Sequence, residues 1–385
     1  MKSGNVFLTR QTSLSVSNKE AIPLQPMNPI DQSNRIFFLD LLKAVSISIV
    51  VFYHSLFLPI NTYFSVAIAE LIIHSPLRFC VPVFLTISFF LLERELSTSK
   101  EISPWLICRK RLIRLAIPTG FWFGLAALLT FAKGNSLQEV FTTILMGDIY
   151  IGAYFLLVLL QLIPIFILIR RSLQKTRNIL IIVGLQIAVF VTLKVLVFYG
   201  GSFGYDAINI LSNIGRPLIA YWFIYMPLGY FLYHRHSQLL ELSSSLEFKH
   251  KMGGFLVVSF LLLLEYANLI PNIGNYFYVF EFALITCIIS TLVVFVCTFS
   301  IQSNQLPLKL VSLIYLLSRY SLGIFCINGI LSQAFSLIGR TVLKEMTFNL
   351  PEVLAARLIG WVILLSISLV LAIQMDRFGF KALVR

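Results

Sequence analysis

Three residues near the start of the chain have types and spacing that could do acid–base chemistry: Asp40, Lys43 and His54. At 100° per residue, the eleven steps from Lys43 to His54 turn about 20° past three full turns. Asp40 falls about 60° from Lys43 on the same side. One helical face would then carry a carboxylate and an ammonium at one end and an imidazole about 16 Å further along. A neutral imidazole is the most versatile proton acceptor near pH 7. Asp40 and Lys43 also fit an i,i+3 ion pair that seats a helix at an interface, and His54 also fits an interfacial histidine near the far end of its helix.

A second cluster, CRKRLIRLAIP from Cys108 to Pro118, sets Arg111 and Arg114 one turn apart. Guanidiniums at that spacing could grip a phosphate, or anchor a helix on anionic lipid. Further polar residues stand in apolar surroundings: Lys194, Glu265, Glu281, Arg319 and Asn328. Glu265, Glu281 and Asn328 are candidate substrate contacts. Charged groups inside a span cost about 2.5–3.5 kcal/mol each on insertion scales, so each needs a reason.

The elements that position these residues must lie in lipid. The 385 residues are 58% hydrophobic and 12% charged, with 34 Phe, and mean hydropathy is +0.88. Soluble domains carry about 25% charge. This excludes a cytosolic enzyme, a secreted globular enzyme and a disordered regulator. The net charge of +13 follows from basic inner loops; no motif points to nucleic acid. The five cysteines are scattered without C-x-x-C spacing, so neither a metal site nor a disulfide framework is expected.

Ten apolar segments have the lengths of membrane spans: 36–58, 77–92, 114–132, 150–170, 179–199, 216–233, 252–270, 276–299, 313–338 and 353–373. With ten spans, 21 of the 30 Lys and Arg fall on the side of the termini and five on the other, Arg78, Lys133, Arg216, Arg340 and Lys344. The remaining four, Lys43, Lys194, Arg319 and Arg357, lie within spans. That asymmetry predicts both termini in the cytoplasm. The expected organisation is an all-α polytopic protein: a disordered cytoplasmic tail over 1–34, a ten-helix domain over 35–375, and a short basic cytoplasmic tail over 376–385. No apolar leader precedes the first span, so no cleaved signal peptide is expected.

Several runs together resemble the acyltransferase 3 family of integral membrane O-acyltransferases. Leu39-Asp40-Leu41-Leu42-Lys43-Ala44 followed by His54 is similar to its L-D-x-L-R-A opening with a later His. VPVFLTISFFLL (81–92) resembles its second span, and KRLIRLAIP (110–118) its R-x-x-R-x-x-x-P motif. Ala153-Tyr154-Phe155-Leu156, PLGYFL (227–232) and SRYSLGIFCIN (318–328) resemble later motifs, so the likeness covers about 36–370. Three positions depart from the pattern. Lys43 stands for Arg, a point charge for a fork; Phe89 stands for the Gly of an S-G pair; Asn328 stands for a His and cannot exchange protons.

The resemblance implies an enzyme of a bacterial plasma membrane. It would move an acyl group, commonly acetyl, from cytoplasmic acyl-coenzyme A to a hydroxyl of a cell-surface carbohydrate or glycolipid. His54 would be the base or acyl carrier, with Asp40 and Lys43 beside it in the catalytic set, and Arg111 and Arg114 would hold the donor's phosphates. No bound cofactor or metal is expected. A polysaccharide exporter, flippase or polymerase-like protein without acyl transfer is the alternative.

Overall fold

In lipid a backbone must satisfy its own hydrogen bonds, so apolar stretches of this length have the helix open to them. The computed structural model describes residues 36–99, 101–273 and 280–385. Each of the ten expected segments contains helix, and the described residues contain no strand. The expected tail over 1–34 lies outside the described residues.

The principal helices are α1 Phe37–Tyr53, α2 Cys80–Thr98, α3 Pro104–Ala132, α4 Tyr154–Ile169, α5 Thr176–Tyr199, α6 Tyr225–His234, α7 Phe248–Ile273, α8 Ile285–Thr298, α9 Leu308–Arg319, α10 Ser321–Val342 and α11 Leu350–Arg377. Among the described residues six helical stretches are long and apolar enough to cross a membrane alone: Ser75–Thr98, α3, α5, α7, α10 and α11. The protein is therefore an all-α polytopic membrane protein.

Three segments differ in form from the expectation. The segment 216–233 yields only a short 3₁₀ turn, Ile219–Tyr221, and the ten-residue α6, about 15 Å long and too short to cross alone. Its first residues instead form a loop, closed where Trp222 Nε1 donates to the Arg216 carbonyl at 2.7 Å. The segment 313–338 is two helices, α9 and α10. They part at Tyr320, whose backbone leaves the helical region (φ −99°, ψ 12°). The break is anchored by the Tyr320 hydroxyl, which donates to Asp376 at 2.6 Å and accepts from Arg385 at 3.1 Å. Finally α3 begins ten residues before 114, because Pro104 suits a first helical turn and the arginine-rich run is already helical.

Residues 37–385 form one compact unit. Within it α1 packs against α2, α8, α9, α10 and α11, which buries Ile47 and Val51 completely. Helix α2 packs closely on α6. The approach depends on Gly229, where a Cβ would lie 2.6 Å from that of Phe89. The bulk of Phe89, at a position where the family pattern has Gly, is thus matched by a missing side chain across the interface.

Two apolar clusters fill the interior. One gathers Phe89, Phe166, Trp222, Tyr225 and Phe280; the other gathers Ile47, Val51, Trp122, Tyr150 and Cys326. The last residues belong to the second. Leu383 and Val384 are buried, and Trp122 Nε1 donates to the Leu383 carbonyl at 3.1 Å. Within the segment 376–385, expected as a short basic tail, Leu383 and Val384 are thus packed into the bundle while Phe378 and Phe380 stay exposed.

Candidate functional site

His54 follows the last turn of α1, its backbone N–H bonded to the Val50 and Val51 carbonyls at 3.3 and 3.1 Å. Pro59 disfavours helix in the residue before it, so the chain past His54 continues as a loop. A helix end at this point exposes unpaired carbonyls. Arg357 of α11 answers them: its Nη1 donates to the Phe52 and Tyr53 carbonyls, both at 3.1 Å. A cation at a helix C-terminus also complements the helix dipole. Ser55, fully buried, donates to the Phe52 and Arg357 carbonyls at 2.7 and 2.9 Å. The contact needs Gly360, where a Cβ would fall 2.2 Å from the Ser55 carbonyl oxygen.

Arg357 is itself paired with Glu70, as is His74 at 2.9 Å. The three side chains are buried. Burial would raise the Glu70 carboxyl, but His74 and the Arg357 guanidinium outweigh it and hold the group below its usual range. The Tyr53 hydroxyl donates to the His74 carbonyl. The residues on either side of His54 are thus tied to the helix Ala67–Ile73, to the turn that follows it and to α11.

The imidazole is oriented from α10. Asn328 is fully buried, and its Nδ2 donates to the Ile324 and Phe325 carbonyls at 2.8 and 2.7 Å. Both amide hydrogens are used, so Oδ1 is the atom that meets His54 Nδ1 at 2.6 Å. An oxygen that can only accept requires a proton on Nδ1, which leaves the lone pair on Nε2. His54 lines a cavity of about 640 Å³ with Tyr53, Arg78, Tyr154, Arg216, Glu281 and Ser321 among its polar neighbours. Val81 and Phe155 pack against both apolar clusters and also line this cavity, so it opens where the two clusters meet.

Glu281 brings a carboxylate to the same cavity. Arg78 and Arg216 both pair with it, Arg216 Nε at 3.3 Å from Oε2. Each guanidinium also lies over an aromatic face: Arg78 over Tyr53 at 4.3 Å, and Arg216 over Tyr154 at 5.0 Å. Tyr154 is backed by Trp222, stacked at 5.8 Å.

The structure thus brings His54, Asn328 and Glu281 together and places the other expected residues elsewhere. Asn328, expected to touch substrate, stands behind the imidazole because both of its polar ends are engaged within the protein. Glu265 is not on the cavity wall; it accepts a hydrogen bond from the Thr286 hydroxyl. Asp40 is buried on α1 and accepts from the Ser318 hydroxyl of α9. Lys43 is half-buried, and neither it nor Asp40 lines the cavity.

Arg111, expected to grip phosphate, holds α3 to α2. Its Nε donates to Glu95 at 2.8 Å, and its Nη atoms donate to the Leu91 and Ser88 carbonyls at 2.8 and 3.4 Å. Arg114, Arg109 and Lys110 remain exposed. Among the described residues no cluster could hold a metal ion.

Arg78, Arg216, Glu70 and Arg357 were not singled out as functional from the sequence. A signal for the first two was present. In the expected ten-span topology they are two of five basic residues on the cation-poor side, where the charge asymmetry of loops gives no reason for an arginine.

A family model described as the acyltransferase domain matches residues 36–375. No curated protein and no solved structure matches the chain.

Proposed function

The chain belongs to the acyltransferase 3 family and is a membrane acyltransferase, and from that premise we propose that it passes an acyl group, acetyl as the simplest case, from acyl-coenzyme A to a carbohydrate hydroxyl. In this reading both termini are cytoplasmic and the membrane is a bacterial plasma membrane. The donor arrives from the cytoplasm and the acceptor from the outer face.

One observation carries the reading: His54 has Nδ1 occupied by the Asn328 oxygen while its ring lines a cavity large enough for a sugar. Nε2 takes the proton of the acceptor hydroxyl as its oxygen attacks the thioester carbonyl. The new C–O bond forms, the C–S bond breaks, and the coenzyme A sulfur leaves with the proton that His54 held. Asn328 keeps the ring in the tautomer this needs. Arg114, with exposed Arg109 and Lys110 beside it, offers the donor's phosphates a cationic surface, while Arg111 keeps the helix that carries them in place. Asp40 and Lys43 stand at the cytoplasmic end of α1, on the donor's side.

The test is His54→Ala in cells, with protein amount measured by immunoblot and surface glycan by mass spectrometry. Loss of ester groups from the glycan, at normal protein level, is expected. Unchanged esters would remove His54 from the chemistry. Loss of the glycan itself, without any ester difference, would favour an export role instead.

A further inference from the structure

Tyr154 opens α4 on the wall of the His54 cavity. Its ring is fixed from several directions. Trp222 stacks on it at 5.8 Å, Phe282 lies at 6.4 Å, and the Arg216 guanidinium sits over it at 5.0 Å. Gly147 packs on its backbone, where a Cβ would lie 2.5 Å from the Tyr154 Cα. Gly152, two residues earlier, sets the same turn against the imidazole. A Cβ there would lie 3.2 Å from His54 Cε1, the carbon between the two ring nitrogens.

The hydroxyl of this fixed ring is unused. Tyr53, Tyr225 and Tyr266 each donate to a backbone carbonyl. Tyr154 is 5% exposed, yet its hydroxyl makes no hydrogen bond among the described residues. A buried hydroxyl without a partner costs free energy, so one that persists calls for a reason. Acyl transfer supplies one. When an oxygen attacks a thioester carbonyl, negative charge gathers on the carbonyl oxygen, and a donor already in place stabilises it without reorganisation.

We propose that the Tyr154 hydroxyl donates a hydrogen bond to the thioester carbonyl oxygen as that oxygen becomes an oxyanion. This deepens the acyl-transfer reading and rests on it. His54 takes the acceptor's proton, the new C–O bond forms, and the carbonyl π pair moves to the oxygen facing Tyr154. The C=O bond then re-forms, the C–S bond breaks, and the sulfur takes the proton from His54. Tyr154 keeps its own proton throughout.

The experiment uses permeabilised cells that produce the full chain and hold their own acceptor. They receive acetyl-coenzyme A or its dithioester, in which sulfur, a weak hydrogen-bond acceptor, replaces the carbonyl oxygen. Mass spectrometry of the glycan gives the rate, immunoblot the protein amount, and melting of the purified protein its stability. Tyr154→Phe keeps the ring and removes only the hydroxyl. Its saturated rate with acetyl-coenzyme A falls about 100-fold, while the Michaelis constant for that donor and the unfolding midpoint change little. The preference for the oxygen donor over the dithioester shrinks severalfold. If the dithioester is not transferred at all, the rate and the midpoint decide.

An unchanged rate in Tyr154→Phe overturns the proposal. So does a loss that comes with a lower midpoint and an unaltered donor preference, which marks a structural role. Ser321, half-buried on the same wall, is the rival donor. If Ser321→Ala alone loses rate and preference, the role is not Tyr154's. Esters made by the unaltered protein and equally by Tyr154→Phe remove this proposal and leave acyl transfer standing. No esters from the unaltered protein remove both.

Discussion

Nδ1 of His54 lies 2.6 Å from Oδ1 of Asn328, across 274 positions of sequence. The asparagine cannot move a proton. Its two amide hydrogens are held by the Ile324 and Phe325 carbonyls, so its oxygen has one orientation. In the proposed reaction an amide in this place acts through the imidazole, as a positioning residue.

Asn328→Leu is therefore expected to lower the turnover number by about 10–100-fold, the range seen for partners that orient a functional histidine. The Michaelis constant for acceptor should change little. Asn328→Asp keeps an acceptor for Nδ1–H but sets its second oxygen against the Ile324 and Phe325 carbonyls, so it should retain only part of the rate. Steady-state kinetics on purified protein, with the turnover number and Michaelis constant determined separately, check both.

Arg357→Gln should act through the end of α1. It takes from the buried Glu70 one of two partners, leaving His74, and removes two bonds to the Phe52 and Tyr53 carbonyls. Breaking one side of a buried pair costs about 3–5 kcal/mol. The expected result is a clearly lower thermal unfolding midpoint together with loss of turnover. Replacing Glu70 by Gln in the same protein should restore part of the midpoint, since the under-paired charge is then gone.

Gly360→Ala tests the packing of α11 on the loop after His54. A Cβ there would lie 2.2 Å from the Ser55 carbonyl oxygen, so the backbones must separate. Overpacking of this kind costs about 1–3 kcal/mol. A depressed unfolding midpoint with reduced acyl transfer is expected, and an unaltered midpoint would contradict the close approach.

Glu70 gives the fold a defined acid sensitivity. His74 and Arg357 outweigh the effect of burial and hold its carboxyl below the ordinary value of 4.5. A carboxyl lowered on folding adds stability above its unfolded value, and that stability is lost as pH falls through the folded value. Unfolding midpoints measured from pH ~7 down to ~3.5 should drop for the native protein, and less steeply for Glu70→Gln.

The two arginines of the R-x-x-R turn should separate. Arg111→Ala is expected to lower stability, since it cuts three bonds between α3 and α2. Arg114→Ala should leave stability unchanged, because its side chain is exposed, and raise the Michaelis constant for acyl-coenzyme A. Melting curves and donor titrations of the two variants distinguish the roles.

Much of this protein could be read from residue order. Apolar length and composition were enough for the helices, because lipid leaves a backbone few alternatives. That is a local property. The breaks were less legible: α9 and α10 part at Tyr320 because its hydroxyl reaches Asp376 and Arg385, and 216–224 forms a loop whose Arg216 meets Glu281.

The surroundings of His54 could not be read locally at all. Asn328 that bonds it, Arg357 that holds the residues before it and Glu281 on its cavity wall lie more than two hundred positions away in the chain. Which buried polar groups meet depends on how the helices pack against one another, and helix periodicity carries no information about that. Hence Asn328, expected as a substrate contact, meets the imidazole of His54; Arg111, expected as a phosphate grip, bonds across to α2; and Arg78 and Arg216, counted as loop charges, converge on one carboxylate.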